Sequence, residues 1–138
     1  MHKVITHWKG NMAFESHLPD GIIKIDVAKE QGGDDLGVRP KALMLSSLAG
    51  CSGLDVASLM KKMRLTVDDF CIETEGSLTD EVAAQYHTVV VKYIFTGTKL
   101  DEEKLTKIVN LSVEKYCGVL KMFESFADIK IEIIFNHK

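Results

Sequence analysis

The sequence lacks the features that commonly indicate a nucleic-acid or membrane partner. Its 17 basic and 20 acidic residues give a net charge of −3, which leaves no broad positive surface for nucleic acid or an anionic bilayer. No stretch approaches the roughly 20 apolar residues of a membrane-spanning helix. The opening segment MHKVITHWKGNM contains no apolar run typical of a signal peptide. We therefore expect a cytoplasmic protein that binds neither nucleic acid nor membrane.

Motifs for a nucleotide, a metal or another cofactor are also missing. Gly32-Gly33 and Gly37 do not form the G-x-G-x-x-G run of a dinucleotide site, and no strand–helix–strand unit surrounds them. None of the five histidines lies at a short spacing from a cysteine that would resemble a zinc site. We expect no cofactor and no metal. The length of 138 residues suits one domain, which we predict to span residues 1–138.

The apolar periodicity predicts the element order βββ–α–ββ–α–(α)–β. Three short β-leaning runs come first, with turn residues at Lys9-Gly10 and Pro19-Asp20-Gly21 between them. A long helix follows from Pro40 to about Arg64, then two strands, a second helix from near Asp101, a short third helix and a last strand. Because strands do not alternate regularly with helices, the pattern favours an α+β fold with a mostly antiparallel sheet.

The three cysteines are the residues most able to carry chemistry. Their odd number and wide spacing argue against a structural disulfide framework. Cys51 lies in the middle of the long helix, where the residues on nearly every side of the helix are small or apolar. This pattern predicts a buried helix. Cys117 precedes Gly118, and a thiol at a helix N-terminus has a lowered pKa. The residues leave two readings open, a reactive pair or two packed core cysteines, with Cys71 a bystander.

The stretch SSLAGCSGLDVASLMKKM after Pro40, together with the later VEKYCGV, resembles the OsmC/Ohr family of osmotically inducible and organic-hydroperoxide-resistance proteins. The order of elements and the length are similar over essentially the whole chain. The forms AGCSGLDV and EKYC are most similar to the less characterised OsmC-like branch. The resemblance implies an OsmC-like fold with two central cysteine-bearing helices. It also implies an intertwined homodimer with its sites at the subunit interface.

The same resemblance implies a thiol-dependent peroxidase in the response to oxidative or osmotic stress. In this role Cys51 attacks the distal oxygen of an organic hydroperoxide and becomes a sulfenic acid. Cys117 resolves it as a disulfide, which a thiol or a dihydrolipoamide-type dithiol then reduces. The alternative is a non-catalytic OsmC-like protein that binds a hydrophobic ligand, with both cysteines structural.

The sequence departs from the family's peroxidases at two positions. Those peroxidases carry an arginine in the N-terminal strands that activates the thiolate, whereas Lys9 is the one cation in HWKGNMAFESHLPDG. They also carry a glutamate just after the helix-opening proline, where this chain has Lys41. Arg39 is the one arginine before the cysteine helix, so it is the candidate to supply the positive charge. Glu15 is a candidate acidic partner for Arg39 or Lys41.

Overall fold

The computed structural model describes all 138 residues, which form two compact units, Met1–Met44 and Leu45–Lys138. The strands are β1 (Ile5–Trp8), β2 (Phe14–Leu18), β3 (Gly21–Ile25), β4 (Asp69–Leu78), β5 (Tyr86–Gly97) and β6 (Asp128–His137). The helices are α1 (Pro40–Lys62), α2 (Glu102–Leu111) and α3 (Gly118–Glu124), with a 3₁₀ turn at Lys29–Gln31 and a π-helical turn at Ser112–Tyr116. The predicted α+β class and element order are confirmed.

The first unit is built on an antiparallel meander in the order β1–β2–β3. After β3 the chain forms a loop held by Asp26, whose side chain is almost fully buried. The Asp26 carboxylate accepts hydrogen bonds from the backbone N–H groups of Val27, Asp34 and Leu36 at 2.7, 3.2 and 3.1 Å. Burial raises the pKa of Asp26, but these bonds and the charge of Arg39 outweigh it, so the pKa is lowered. One ionised carboxylate therefore organises the loop.

The second unit contains a three-stranded sheet in which β5 is the central strand. β4 pairs with β5 antiparallel, whereas β6 pairs with β5 parallel. The parallel pairing follows from the crossover through α2, the π turn and α3, since parallel neighbours need a long connection. The predicted sheet is mostly antiparallel, and this one pair is its exception. The buried side of β5 forms the centre of the core, through Val89, Val91, Tyr93 and Phe95.

Helix α1 buries only one of its faces within the chain. Leu48, Ser52 and Val56 are fully buried, one helical turn apart. On the other side Leu54 is 75% exposed, and a side chain added at Gly50 would meet nothing within 4 Å. The prediction of a helix buried all round is therefore wrong for the single chain, because one sheet covers only one helical face. By length and composition α1 alone is long and apolar enough to cross a membrane, although we expected no such segment.

Candidate cysteine site

The structure brings Cys51 and Cys117 together. Cys51 lies in α1 and is half-buried, whereas Cys117 is only 4% exposed. Both are free thiols, and they lie close enough for the Cys51 side chain to raise the pKa of Cys117. Cys71 is exposed on β4, on the polar face where the sequence placed it. The two cysteines of interest therefore form a contacting pair at the second unit's helical layer.

Cys117 sits at a junction between two kinds of helix rather than inside one. Its backbone N–H donates to the carbonyl of Ser112 at 2.9 Å, which closes the π-helical turn. Its Sγ then accepts a hydrogen bond from the backbone N–H of Leu120 at 3.4 Å, so the sulfur caps α3 where an oxygen commonly does. Single π turns occur frequently at functional sites. The turn fixes the direction in which the Cys117 thiol points.

The pKa of Cys117 is raised rather than lowered. Burial is the largest cause, and it raises the pKa to about 12 together with the Cys51 side chain, toward which the Cys117 thiol donates, and the charges of Cys51 and Asp55. The Leu120 N–H lowers the pKa but does not compensate. The sequence prediction of a readily ionised thiol at this helix start is therefore wrong, since desolvation of a buried thiolate outweighs the helix end. Cys117 holds its proton, and Cys51 is the less buried of the two sulfurs.

A chain of buried hydroxyl groups lies beside the pair. Ser52 Oγ is 2.6 Å from Tyr93 Oη and 2.7 Å from Ser112 Oγ, and Ser112 Oγ donates to Asp55 Oδ2 at 2.9 Å. All three hydroxyl residues are fully buried. Every buried side-chain polar atom in the structure has a hydrogen-bond partner. The chain thus links β5, α1 and the π turn around the cysteines.

Asp55 connects this buried chain to the surface. It is half-buried and lines a cavity of about 250 Å³ whose other lining residues are Ser58, Leu59, Lys62 and Tyr116. The charge of Asp55 also raises the pKa of Tyr93, after burial as the largest cause. The hydroxyl chain therefore ends at a carboxylate that borders an open cavity.

The remaining predicted site residues lie in the first unit or at its edge. The Arg39 guanidinium forms an ion pair with Asp35 at 2.7 Å and donates to the carbonyl of Gly37 at 2.8 Å. Lys41 is exposed, and Glu15 bonds to His17 at 2.8 Å. Arg39 is thus engaged within its own loop, and its role as the activating cation stays a prediction. No group of three or more His, Cys, Asp or Glu side chains is arranged to hold a metal ion.

No residue pattern indicated the chain of buried hydroxyl groups. Ser52 appeared only as one of the small residues around Cys51, and Ser112 as a member of an apolar stripe. The available signal was the spacing of Asp55, four residues after Cys51 and so on the same helical face. The contact of Ser112 depends on the π turn, which no residue pattern predicted. The pairing of Cys51 with Cys117 was expected only through the family resemblance.

A half-buried thiol paired with a protonated buried thiol, both free, defines a candidate redox site on an α+β scaffold. Residues 32–132 match the family described as OsmC-like protein, and the chain belongs to this family. It is 30% identical to the protein YhfA of Escherichia coli K12 over 95 residues, which cover 69% of this chain and 71% of that protein. The fold is similar to a hypothetical protein of Aquifex aeolicus VF5, with a TM-score of 0.86, 30% identity and coverage of 100% and 98%. It is also similar to the organic hydroperoxide resistance protein OhrB of Bacillus subtilis, with a TM-score of 0.63, 24% identity and coverage of 96% and 97%.

Proposed function

We propose that the protein is a thiol-dependent peroxidase that reduces organic hydroperoxides in the response to oxidative or osmotic stress. The observation that carries the proposal is the proximity of two free thiols, Cys51 and Cys117, which lie close enough to influence each other's ionisation. Membership of the OsmC-like family supports it, as does the name of the Bacillus protein that shares the fold. A reacting pair needs an accessible first sulfur and a resolving sulfur in contact with it, and the pair has both.

The reaction follows from the unequal environments of the two sulfurs. The Cys51 thiolate attacks the distal oxygen of the hydroperoxide, the O–O bond breaks, and the departing alkoxide takes a proton from solvent to become the alcohol. Cys51 is then a sulfenic acid. The Cys117 sulfur then attacks the Cys51 sulfur and displaces the hydroxyl group of the sulfenic acid. That hydroxyl group leaves as water with the proton of Cys117, and a disulfide forms. A dithiol of the dihydrolipoamide class, or two thiols, reduces this disulfide by exchange and is itself oxidised to a disulfide.

A homodimer is part of the proposal. The open face of α1 is apolar at Leu54 and lacks side chains at Gly50, and Tyr116 and Met122 are also at least half exposed. Apolar surface of this kind commonly marks a protein interface. A second copy of the chain would shield α1 and the neighbouring cysteine pair from water. A cytoplasmic location remains a prediction.

A second candidate function is the binding of a hydrophobic ligand with both cysteines structural. It is favoured by the high pKa of Cys117 and by the engagement of Arg39 with Asp35. Under this alternative the sulfurs are packing groups and the chain does not turn over peroxide. Cys51→Ala would then leave ligand binding unchanged.

The experiment that separates the two uses the reduced protein and one equivalent of cumene hydroperoxide. We expect loss of two thiols, a disulfide between Cys51 and Cys117 in peptide mass mapping, and release of one equivalent of alcohol. Cys51→Ser should abolish alcohol release, whereas Cys117→Ser should allow one oxidation of Cys51 that a sulfenic-acid reagent traps. Cys71→Ser is the matched control and should behave like the wild type. Undiminished turnover in Cys51→Ser, or no thiol loss in the wild type, would reject the peroxidase.

A further inference from the structure

Ser112 joins the two segments that carry the cysteines. Its hydroxyl group lies 2.7 Å from Ser52 Oγ and donates to Asp55 Oδ2 at 2.9 Å. Both partners belong to α1, and Ser52 directly follows Cys51. The Ser112 carbonyl accepts the backbone N–H of Cys117 at 2.9 Å, which closes the π turn. One fully buried residue therefore bonds to the helix that carries the first sulfur and fixes the turn that leads to the second.

The direction of the Cys117 side chain within its own segment is set locally. Its backbone N–H is held by the Ser112 carbonyl, and its sulfur accepts the backbone N–H of Leu120 at 3.4 Å. These two bonds lie within the π turn and α3, so neither of them fixes the turn relative to α1. Cys51 packs against the buried core cluster to which Cys117 belongs. The position of one sulfur relative to the other therefore depends on the contacts between the turn and α1.

The hydroxyl group of Ser112 makes both of its bonds to α1 at the same time. Because an ionised carboxylate only accepts, the Ser112 proton is used toward Asp55, and the Ser112 oxygen accepts from Ser52. Ser52 in turn accepts from the Tyr93 hydroxyl at 2.6 Å, which connects the arrangement to β5. The three hydroxyl residues are fully buried, where a lost hydrogen bond is costly. The side chain of Ser112 thus resists movement of the turn away from α1.

We propose that Ser112 is a positioning residue of the cysteine pair, whose side chain holds the π turn against α1 and keeps the Cys117 sulfur within bonding reach of Cys51. The proposal rests on the proposed function for its role in the reaction, in which it sets how readily Cys117 resolves the Cys51 sulfenic acid. A disulfide forms only from conformations in which the two sulfurs can meet, so the fraction of such conformations scales the tendency of the pair to close. Ser112 raises that fraction through the backbone of the turn.

The test measures the effective concentration of the two thiols in a chain that carries Cys71→Ser. The protein is equilibrated at pH 7 with reduced and oxidised glutathione, quenched with acid, and its disulfide is quantified by alkylation and mass spectrometry. Each Cys51–Cys117 disulfide that forms reduces one oxidised glutathione to two reduced molecules. Ser112→Ala removes both bonds to α1, so the turn must be ordered whenever the disulfide closes. We expect the effective concentration to fall about 5- to 30-fold, the scale of one or two net hydrogen bonds.

Two substitutions of Asp55 separate the hydrogen bond from the charge. Asp55→Ala breaks one of the two bonds, and we expect an intermediate fall of about 3- to 6-fold. Asp55 is half-buried and borders an open cavity, so this variant also carries the test if Ser112→Ala does not fold. Asp55→Asn removes the same charge but keeps an oxygen that can accept from Ser112, and it should stay within about twofold of the parent. Equal falls in the two Asp55 variants would assign the effect to the charge and overturn the proposal.

Val89→Ala separates positioning from general loosening of the structure. Val89 is fully buried on β5, so its truncation lowers the free energy of unfolding. It takes no part in the hydrogen bonds of Ser112, and the effective concentration should stay within about twofold of the parent. An equal fall in Val89→Ala and Ser112→Ala, an unchanged value in Ser112→Ala, or a parent chain that forms no disulfide would overturn the proposal. The assay contains no peroxide, so a parent that forms the disulfide but consumes no cumene hydroperoxide would reject the peroxidase alone.

Discussion

Replacement of Ser52 by alanine tests the buried polar chain most directly. Ser52 is fully buried, and its one hydroxyl bonds to both Tyr93 and Ser112. The change removes the acceptor of the Tyr93 hydroxyl and the donor to Ser112, and both groups are fully buried. A buried polar group left without a partner costs about 1–3 kcal/mol. Tyr93 loses its hydrogen-bond partner, whereas Ser112 still donates to Asp55, so we expect a loss of about 1–3 kcal/mol in the free energy of unfolding.

That loss is large beside the roughly 5–15 kcal/mol that stabilises a typical domain. For a chain of this length it corresponds to a decrease in Tm of about 3–11 °C. The assay is urea unfolding followed by circular dichroism at one fixed protein concentration, since assembly would make stability depend on concentration. Ser58→Ala is the matched control, because Ser58 is exposed on the same helix and alanine is the better helix former. It should leave stability unchanged or slightly higher.

A double-mutant cycle with Tyr93→Phe refines the test. Tyr93→Phe removes the hydroxyl whose hydrogen bond Ser52 accepts. Once one of the two changes is made, the other should therefore cost less in the free energy of unfolding. We expect the double variant to be more stable than the sum of the single changes by about 1–2 kcal/mol. Additive losses, or a Ser52→Ala loss as small as that of Ser58→Ala, would refute the view that these hydroxyls depend on one another.

The remaining predictions concern the loop, the sheet and the open helix face. The pKa of Asp26 is lowered in the folded state, so its stabilisation is present above the ordinary carboxyl range near pH 4 and is lost as pH falls through the folded pKa. Asp26→Asn should therefore destabilise at pH 7 but flatten the acid side of a urea-unfolding profile, and an unchanged profile would contradict this. Gly76→Ala places a Cβ 2.5 Å from the Tyr86 ring and should lower Tm, whereas Gly50→Ala, which meets nothing within the chain, serves as its control for an intrachain clash. Leu54→Glu should convert the proposed homodimer into a folded monomer in analytical ultracentrifugation, and a persistent dimer would exclude this face of α1.

The sheet strands could be predicted because each has one buried face. The alternation through Val89, Val91, Tyr93 and Phe95 placed these residues on one face of the strand, and all four are fully buried. The start of α2 was equally readable, since Asp101 accepts the Lys104 N–H at 3.1 Å as an N-cap residue. Such features depend on residues close in sequence, and local patterns therefore sufficed.

Other features depend on contacts between distant residues, and local patterns could not predict them. The high pKa of Cys117 follows from its burial, which outweighs the helix start that the sequence showed. The open face of α1 reflects how much sheet is available to cover it, a property of the whole fold. The parallel pairing of β6 with β5 likewise depends on the path of the intervening helices. The Ser52–Ser112 contact joins residues on two elements whose relative position no single stretch encodes.

The electrostatics of the pair bear on how a peroxidase of this kind would work. Where an arginine stands beside a cysteine, the positive charge stabilises the thiolate. Here the charges of Cys51 and Asp55 act on Cys117, and both favour its protonated form. A thiol that keeps its proton can donate it to a neighbouring sulfur, and a hydrogen bond to an ionised group is stronger than one between neutral groups. The Cys117 thiol can therefore stabilise a Cys51 thiolate in place of a guanidinium. In the proposed peroxidase, the location of one proton, rather than a nearby cation, would decide which sulfur reacts first.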